Sequence, residues 1–285
     1  MERIVYLNGE YVKETDAKIS IFDRGFLFAD AVYEVTAVLN GKLVDNAGHL
    51  ARLERSCQEL ELPLPVSAEQ LTQIQKQLVK LNQLEEGGVY LQLSRGNAGD
   101  RDFAYPVDTK PTLVLFTQAR ALLDSPKAAK GMKVISLPDI RWKRRDIKTV
   151  GLLAPCMAKQ AALNVGADDA WLVEEGYVTE GSSNNAYIVT NDGTLVTRPL
   201  SDAILHGITR KSLLQLAEQA GIIIEERNFT IEEAYKASEA FVSSATTFVW
   251  PVVEIDGHKI GSGEPGEIAG ILRKIYINNA ISSAE

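Results

Sequence analysis

Over residues 139–190 the chain carries a lysine and a carboxylate in settings that suit chemistry on a bound ring. Lys148 lies in DIRWKRRDIKTVGLL, after the basic residues Lys143, Arg144 and Arg145 and before an apolar stretch from Val150 to Ala154. An amine attacks a carbonyl carbon in its uncharged form, and a partly buried stem and neighbouring cations favour that form. Glu180 lies in VTEGSSNNAYIV, in a Gly/Ser turn that feeds an apolar strand. A carboxylate held there can keep a ring nitrogen protonated. Each residue also has an ordinary reading: a solvated lysine in a surface run, and a capping carboxylate in a turn. Together, an imine-forming amine and a carboxylate for a ring nitrogen are what pyridoxal phosphate chemistry requires.

Three further segments suit a phosphate. His206-Gly-Ile-Thr-Arg210 precedes an amphipathic helix, so a small-residue turn with free backbone N–H groups and the positive end of the helix dipole would face an anion. A plain N-cap by Thr209 is the simpler reading. Ser243-Ser244-Ala245-Thr246-Thr247 follows a strand and could add hydroxyls, or be only a polar turn. Arg52 could supply a counter-charge, or sit on a helix surface. His49, His206 and His258 are too scattered for a metal site, and no Ser/His/Asp arrangement stands out. SRGNAG is too poor a glycine pattern for a dinucleotide loop.

The elements that must position these residues are legible in outline. Asn8-Gly9 and Asn40-Gly41 each sit between strand-like runs and predict hairpins over residues 3–13 and 31–45. In the second hairpin Tyr33 and Val35 share one strand face, Val32 and Glu34 the other. Leu50, Leu53, Cys57 and Leu60 recur at helical spacing over 47–61. Ser67 with Gln70 reads as a capping box opening a helix that runs to about Leu84, ended by Gly87-Gly88. VYLQLSRG and PTLVLFTQ read as strands, giving an α+β unit with a mainly antiparallel sheet over residues 1–118. Residues 119–131 lack a period and carry Pro126 and Gly131, which suits a linker. A second unit then spans 132–285. It opens with the strand MKVISL and continues with a helix ended by Gly166. Hairpins follow on Glu175-Gly176, Asp192-Gly193 and Asp256-Gly257, and a helix over 265–280 closes the chain.

Length and composition agree with a two-domain enzyme. The 285 residues are 45% hydrophobic and 24% charged, with a net charge of −8 that disfavours nucleic acid as a partner. Two cysteines cannot form a disulfide framework, no apolar run approaches a membrane span, and the start lacks a signal layout; a cytoplasmic protein is the expectation.

The motifs DRGFLFADAVYEV, HLARLERS, DIRWKRRDIKTVGLL, AKQAA, VTEGSSNNAYIV, ILHGITR and PVVEIDG occur in one order along the chain. In this the sequence resembles the class IV, fold-type IV, pyridoxal-phosphate aminotransferases over essentially its full length, and among them the D-amino acid transaminases. The resemblance implies a small N-terminal sandwich-like domain and a larger domain with a mainly antiparallel pseudo-barrel. It implies Lys148 as the Schiff-base lysine and proton shuttle, and Glu180 as the partner of the pyridine nitrogen. Arg52, Ile208, Thr209 and the Ser244-Ala245-Thr246 turn would hold the phosphate. Tyr33 and Thr246 would face the substrate, and Arg101, with Arg95 as second choice, would take its carboxylate. It further implies a homodimer. The sequence departs from the pattern twice. Phe103 stands where the carboxylate trap has a histidine, and Ala245 where a phosphate-binding threonine is usual. The reaction implied is amino transfer between a D-amino acid and a 2-oxo acid. The alternatives are a branched-chain L-amino acid aminotransferase, an aminodeoxychorismate lyase on the same fold, or a non-catalytic binding protein.

Overall fold

Asn8 and Gly9 both adopt positive φ, 49° and 109°, and the chain reverses there between β1 (Ile4–Leu7) and β2 (Glu10–Lys13). The primed turn that Asn-Gly favours has the twist of the strands it joins. The computed structural model that shows this describes residues 2–285. Asp23 then caps the short helix α1 (Arg24–Phe28), its carboxylate accepting from the Gly25 N–H at 2.8 Å. Next come β3 (Ala31–Leu39), β4 (Lys42–Leu43), α2 (Asn46–Glu59), α3 (Ala68–Leu81), β5 (Glu86–Ser94) and β6 (Thr112–Ala119). The capping box of Ser67 and Gln70 opens α3.

These strands form one antiparallel sheet in the order β2-β1-β6-β5-β3-β4. Val32, Val89, Leu91, Leu93, Leu113 and Leu115 share a core with Leu50, Leu53 and Cys57 of α2 and Leu71, Ile74 and Leu78 of α3. Gly87 and Gly88 lie inside β5 rather than ending a helix. A Cβ on Gly87, whose φ is 150°, would meet the Gln118 carbonyl oxygen at 2.1 Å, so the approach of β6 requires glycine. Helix α3 stops earlier than expected. Asn82 at its end uses its side chain to hold Ile4 N–H, Ile4 C=O and Thr117.

The residues up to Ala121 belong to one contact unit, together with Ile147–Gly151 and Ser283–Glu285; Leu122–Asp146 and Leu152–Ser282 form a second. The short piece carrying Lys148 thus belongs with the first sheet. Tyr33 N–H donates to the Lys148 carbonyl (3.0 Å) and Val150 N–H to that of Ala31 (3.1 Å), while Ile147 is buried in the first core. The segment read as a linker contains a short helix, α4 (Pro126–Lys130).

The second unit continues with β7 (Met132–Pro138), α5 (Leu153–Asn164), β8 (Asp169–Glu174), β9 (Tyr177–Gly181), β10 (Asn185–Val189), β11 (Leu195–Thr197), α6 (Ile208–Gln219), β12 (Ile224–Glu226), α7 (Ile231–Tyr235), β13 (Glu239–Ser244), β14 (Phe248–Ile255), β15 (His258–Lys259) and α8 (Glu267–Ser283). Its sheet runs β12-β11-β10-β13-β14-β7-β8-β9, with β15 paired to β14. Consecutive strands β9 and β10 stand five positions apart in that order, yet only residues 182–184 join them. Five strand spacings on a flat sheet would be about 24 Å, whereas four Cα steps span at most about 15 Å. The sheet must therefore curl to bring β9 back toward β10. The pairings β7–β8, β7–β14 and β11–β12 are parallel and the rest antiparallel. Trp171, Phe229, Ile188, Val242 and Ile255 fill the core. Among the described residues no helix is long and apolar enough to cross a membrane.

Candidate active site

In the first unit, Tyr33 and Lys148 come together because the segment carrying Lys148, itself not a strand, makes an isolated antiparallel bridge to β3 between Val32 and Thr149. The Lys148 Nζ lies 4.3 Å from the centre of the Tyr33 ring, and Tyr33 stacks on Tyr90 at 5.5 Å. Burial pushes the Tyr90 phenol up to about 12. Lys148 is half-buried. Arg144 and Arg145, expected to crowd it as cations, carry paired charges instead. Arg144 is held by Asp146 at 3.0 and 3.1 Å, and Arg145 by Glu174 at 2.7 and 2.9 Å.

Strand alternation sends Glu34 to the opposite face from Tyr33, toward α2. There Arg52 donates to both its oxygens at 2.7 Å, and His49 Nδ1 lies 2.7 Å away. All three are buried. Burial alone would raise Glu34, but the Arg52 and His49 contacts outweigh it and bring its carboxyl down to about 2. Arg52 therefore sits in a buried pair rather than on a helix surface.

The two arginines of the 95–105 segment differ in their commitments. Arg95 is buried, with Asp30 at 2.8 Å, the carbonyls of Leu60 and Glu61 at 2.7 and 2.9 Å, and the Tyr105 ring at 3.7 Å. Arg101 is exposed and lies over the rings of Phe28 (4.8 Å) and Phe103 (4.9 Å). Phe103 itself is 76% exposed.

In the second unit, Glu180 lies near the end of β9 and is buried. Arg141 Nη1 donates to its Oε1 in a short contact, the Asn185 amide to Oε2 at 3.0 Å, and the Leu205 N–H to both oxygens at 3.2–3.3 Å. Burial raises the Glu180 carboxyl above the usual range, with Arg141 opposing. Asp139 grips Arg141 from the other side at 2.6 and 2.9 Å and accepts from Thr179 Oγ1 at 2.7 Å. Burial would raise Asp139 too, but the Arg141 fork keeps it below its ordinary value. Asn185 also donates to the Leu205 carbonyl at 3.0 Å, and a Cβ on Gly207 would meet its Oδ1 at 2.0 Å. Glycine at 207 thus lets the start of α6 approach the residue that holds Glu180. Gly207 is the N-cap without a side-chain cap, which leaves the first N–H groups of α6, at Ile208 and Thr209, without that partner.

Residues Ser244 to Thr247 turn tightly. Thr247 N–H donates to the Ser244 carbonyl at 3.3 Å, and the hydroxyls of Ser244 and Thr247 are 2.8 Å apart. Phe248 follows with φ of 56°, a strained value for an aromatic residue. It is fully buried and packs on Tyr276 at 5.3 Å. Arg273 of α8 donates to the carbonyls of Thr247 and Val249, and also to those of Leu122 and Leu123.

Residues 31–255 match the model of the amino-transferase class IV family. The chain belongs to the class IV aminotransferases. It is 39% identical to a D-alanine aminotransferase of Staphylococcus aureus (strain N315) over 277 residues, 96% of each chain. It is 38% identical to the D-alanine aminotransferase of Bacillus licheniformis over 280 residues, 98% of this chain and 97% of the other. Among solved structures, a T.th. branched-chain amino acid aminotransferase with pyridoxamine 5′-phosphate superposes with a TM-score of 0.90 at 26% identity, covering 99% of this chain and 95% of that one. The α+β architecture and the curled sheet are those of fold-type IV.

Class IV aminotransferases use pyridoxal 5′-phosphate, and the second unit's donor set fits it. Asp139, Arg141 and Glu180 form a buried cluster of net charge −1, which one pyridinium neutralises. Gly207 leaves a helix start open to a phosphate. Sequence reasoning does not single out Asp139, Arg141, Asn185 or Arg273. The spacing of Asp139 and Arg141 does carry a signal, because alternate residues of an extended segment share a face. Asn185 and Arg273 carry none, since only the folded chain brings them to Glu180 and the 244–247 turn.

Proposed function

We propose that this chain transfers an amino group between a D-amino acid and a 2-oxo acid. The observation that carries the reading is likeness at 39% identity, across nearly the whole of both chains, to an enzyme named for D-alanine. When bound, the cofactor ring accepts the electron pair released at the substrate's α-carbon. Lys148 Nζ would hold the cofactor at its aldehyde carbon and would move the proton taken from the substrate's α-carbon. Glu180 holds the proton on the ring nitrogen. Arg52, oriented by Glu34 and His49, supplies counter-charge to the phosphate, with the N–H groups of Ile208 and Thr209 and the turn of Ser244, Ala245 and Thr246.

Arg101 takes the substrate carboxylate. A carboxylate leaving water needs a positive fork, and Arg95 is already committed to Asp30 and two carbonyls. Phe103 offers no hydrogen bond, so this hold is looser than one with a histidine. Tyr33 lines the substrate side. The working form is a homodimer: α5 exposes Leu153 (75%) and Met157 (55%) one turn apart, an apolar surface of the kind that marks an interface.

The branched-chain reading is favoured by the solved neighbour at 26% identity. In that case N–H groups of the Ala245-Thr246 turn hold the carboxylate. Half-reactions with D-alanine, D-glutamate, L-leucine and L-glutamate, followed through the cofactor's absorbance in wild type and Arg101→Ala, separate the two. The D-specific reading expects conversion by D-substrates that Arg101→Ala weakens. Fast reaction of L-leucine alone, untouched by Arg101→Ala, would overturn it.

A further inference from the structure

Three charged side chains, Asp139, Arg141 and Glu180, all buried or nearly so, are joined by two ion pairs that share Arg141. We propose that Arg141 is a positioning residue that keeps Glu180 ionised, so that the shared proton resides on the cofactor's nitrogen and not on the carboxylate. The proposal rests on the reading of Glu180 given above. Its physical basis is the set of groups facing Glu180. Asn185 and the Leu205 N–H donate to it but carry no charge. Among the described residues, Arg141 is the cation in direct contact with it. Asp139 lies beyond Arg141, and the phenol of Tyr187 is near enough to feel Glu180. Arg145 stands behind Asp139, its Nε 3.5 Å away, and is itself paired with Glu174.

The geometry favours the ionised form in a second way. Every neighbour that hydrogen-bonds Glu180 is a donor, so a protonated carboxyl would point its O–H at N–H groups. A carboxylate only accepts, which matches the donors here: Arg141 on Oε1, Asn185 on Oε2 and the Leu205 N–H shared between both oxygens. Without Arg141 the burial of Glu180 is opposed only by neutral dipoles, and the negative charge of Asp139 pushes in the same direction as burial. Glu180 then takes the proton, and the ring loses the positive charge that makes it an acceptor of electrons. The role of Asp139 is subordinate. It aims the fork of Arg141 and offsets part of its influence, which leaves the cluster at −1.

The test isolates Arg141 from Asp139 by working in the Asp139→Asn background. Isotope-edited infrared spectra of cofactor-free protein, labelled on glutamate carboxyl carbons and differenced against Glu180→Gln, report the protonation of Glu180 as pH varies. Adding Arg141→Gln to Asp139→Asn should raise the Glu180 midpoint by about one pH unit or more, tenfold in proton affinity, and Arg141→Lys in its place should restore it. In holoenzyme carrying 15N in the cofactor ring, the nitrogen signal should be that of a protonated ring in wild type and Asp139→Asn. It should be unprotonated in the Gln double variant. If the double variant does not fold, Arg141→Lys against Arg141→Gln as single changes gives the same comparison. An unmoved Glu180 midpoint with a protonated ring throughout would overturn the proposal while leaving the role of Glu180 intact. An unprotonated ring in the wild type would overturn both.

Discussion

Lys148 meets the Tyr33 ring through its ammonium and joins the sheet through its backbone, so its removal should cost chemistry and little else. Lys148→Ala is expected to lower turnover by roughly 100- to 10,000-fold or more, the range of a lost proton-transfer group. Borohydride treatment of the holoenzyme should fix cofactor to the wild type and leave none attached in the variant. Near-normal turnover would reassign the residue. Glu34 makes a prediction about acid. Its folded-state value is about 2, against 4.5 for the free side chain. A depressed carboxyl contributes stability above pH 4.5 and loses it as pH falls toward 2, and the size is on the order of 3 kcal/mol. Urea midpoints should therefore drop between about pH 5 and pH 2, and less so in Glu34→Gln, which starts lower. Lys148, Glu180 and the proposed phosphate segments could be named as candidates from the sequence because each sits in a local setting that suits the proposed chemistry. The Glu34–Arg52–His49 and Asp139–Arg141–Glu180 clusters could not, because their members meet only through strand pairing and helix packing.

At the scale of elements, hairpins and caps were the most legible features, since Asn-Gly, Glu-Gly and the Ser67/Gln70 box act within a few residues. Gly87 was misread for a related reason. Glycine marks a helix end and a close strand approach equally well, and only the Gln118 carbonyl across the sheet decides between them. The turn from Ser244 to Phe248 shows the converse. Nothing local favours positive φ at Phe248, and burial against Tyr276 together with the Arg273 contacts holds it there. Arg273→Met should deprive the carbonyls of Leu122, Leu123, Thr247 and Val249 of this donor and destabilise the protein by on the order of 3 kcal/mol. It should also weaken cofactor retention, since the loosened turn is a proposed phosphate contact. Denaturant unfolding and cofactor release on dialysis would read the two effects. A variant as stable and as retentive as the wild type would show that Arg273 does not hold the turn.

For the whole molecule, the α+β class could be read from the order of hairpin, strand and helix signals along the chain. The assignment of Ile147–Gly151 to the first unit could not. That segment follows β7 in the chain, and only Ile147 burial and the pairing with β3 reveal where it belongs. The exposed apolar face of α5 leads to an assembly prediction. Wild type should sediment as a dimer, and Leu153→Glu with Met157→Glu should shift it to monomer, since a charge in an apolar interface is left unpaired. A double variant that still sediments as a dimer would place the interface elsewhere.

The handedness of the reaction product tests the proposed function most directly. Purified holoenzyme is incubated with D-alanine and 2-oxoglutarate, and the glutamate formed is resolved by chiral chromatography. D-glutamate accumulating with pyruvate is the expected result. L-glutamate formed readily from L-leucine and 2-oxoglutarate, with no product from D-alanine, would contradict it.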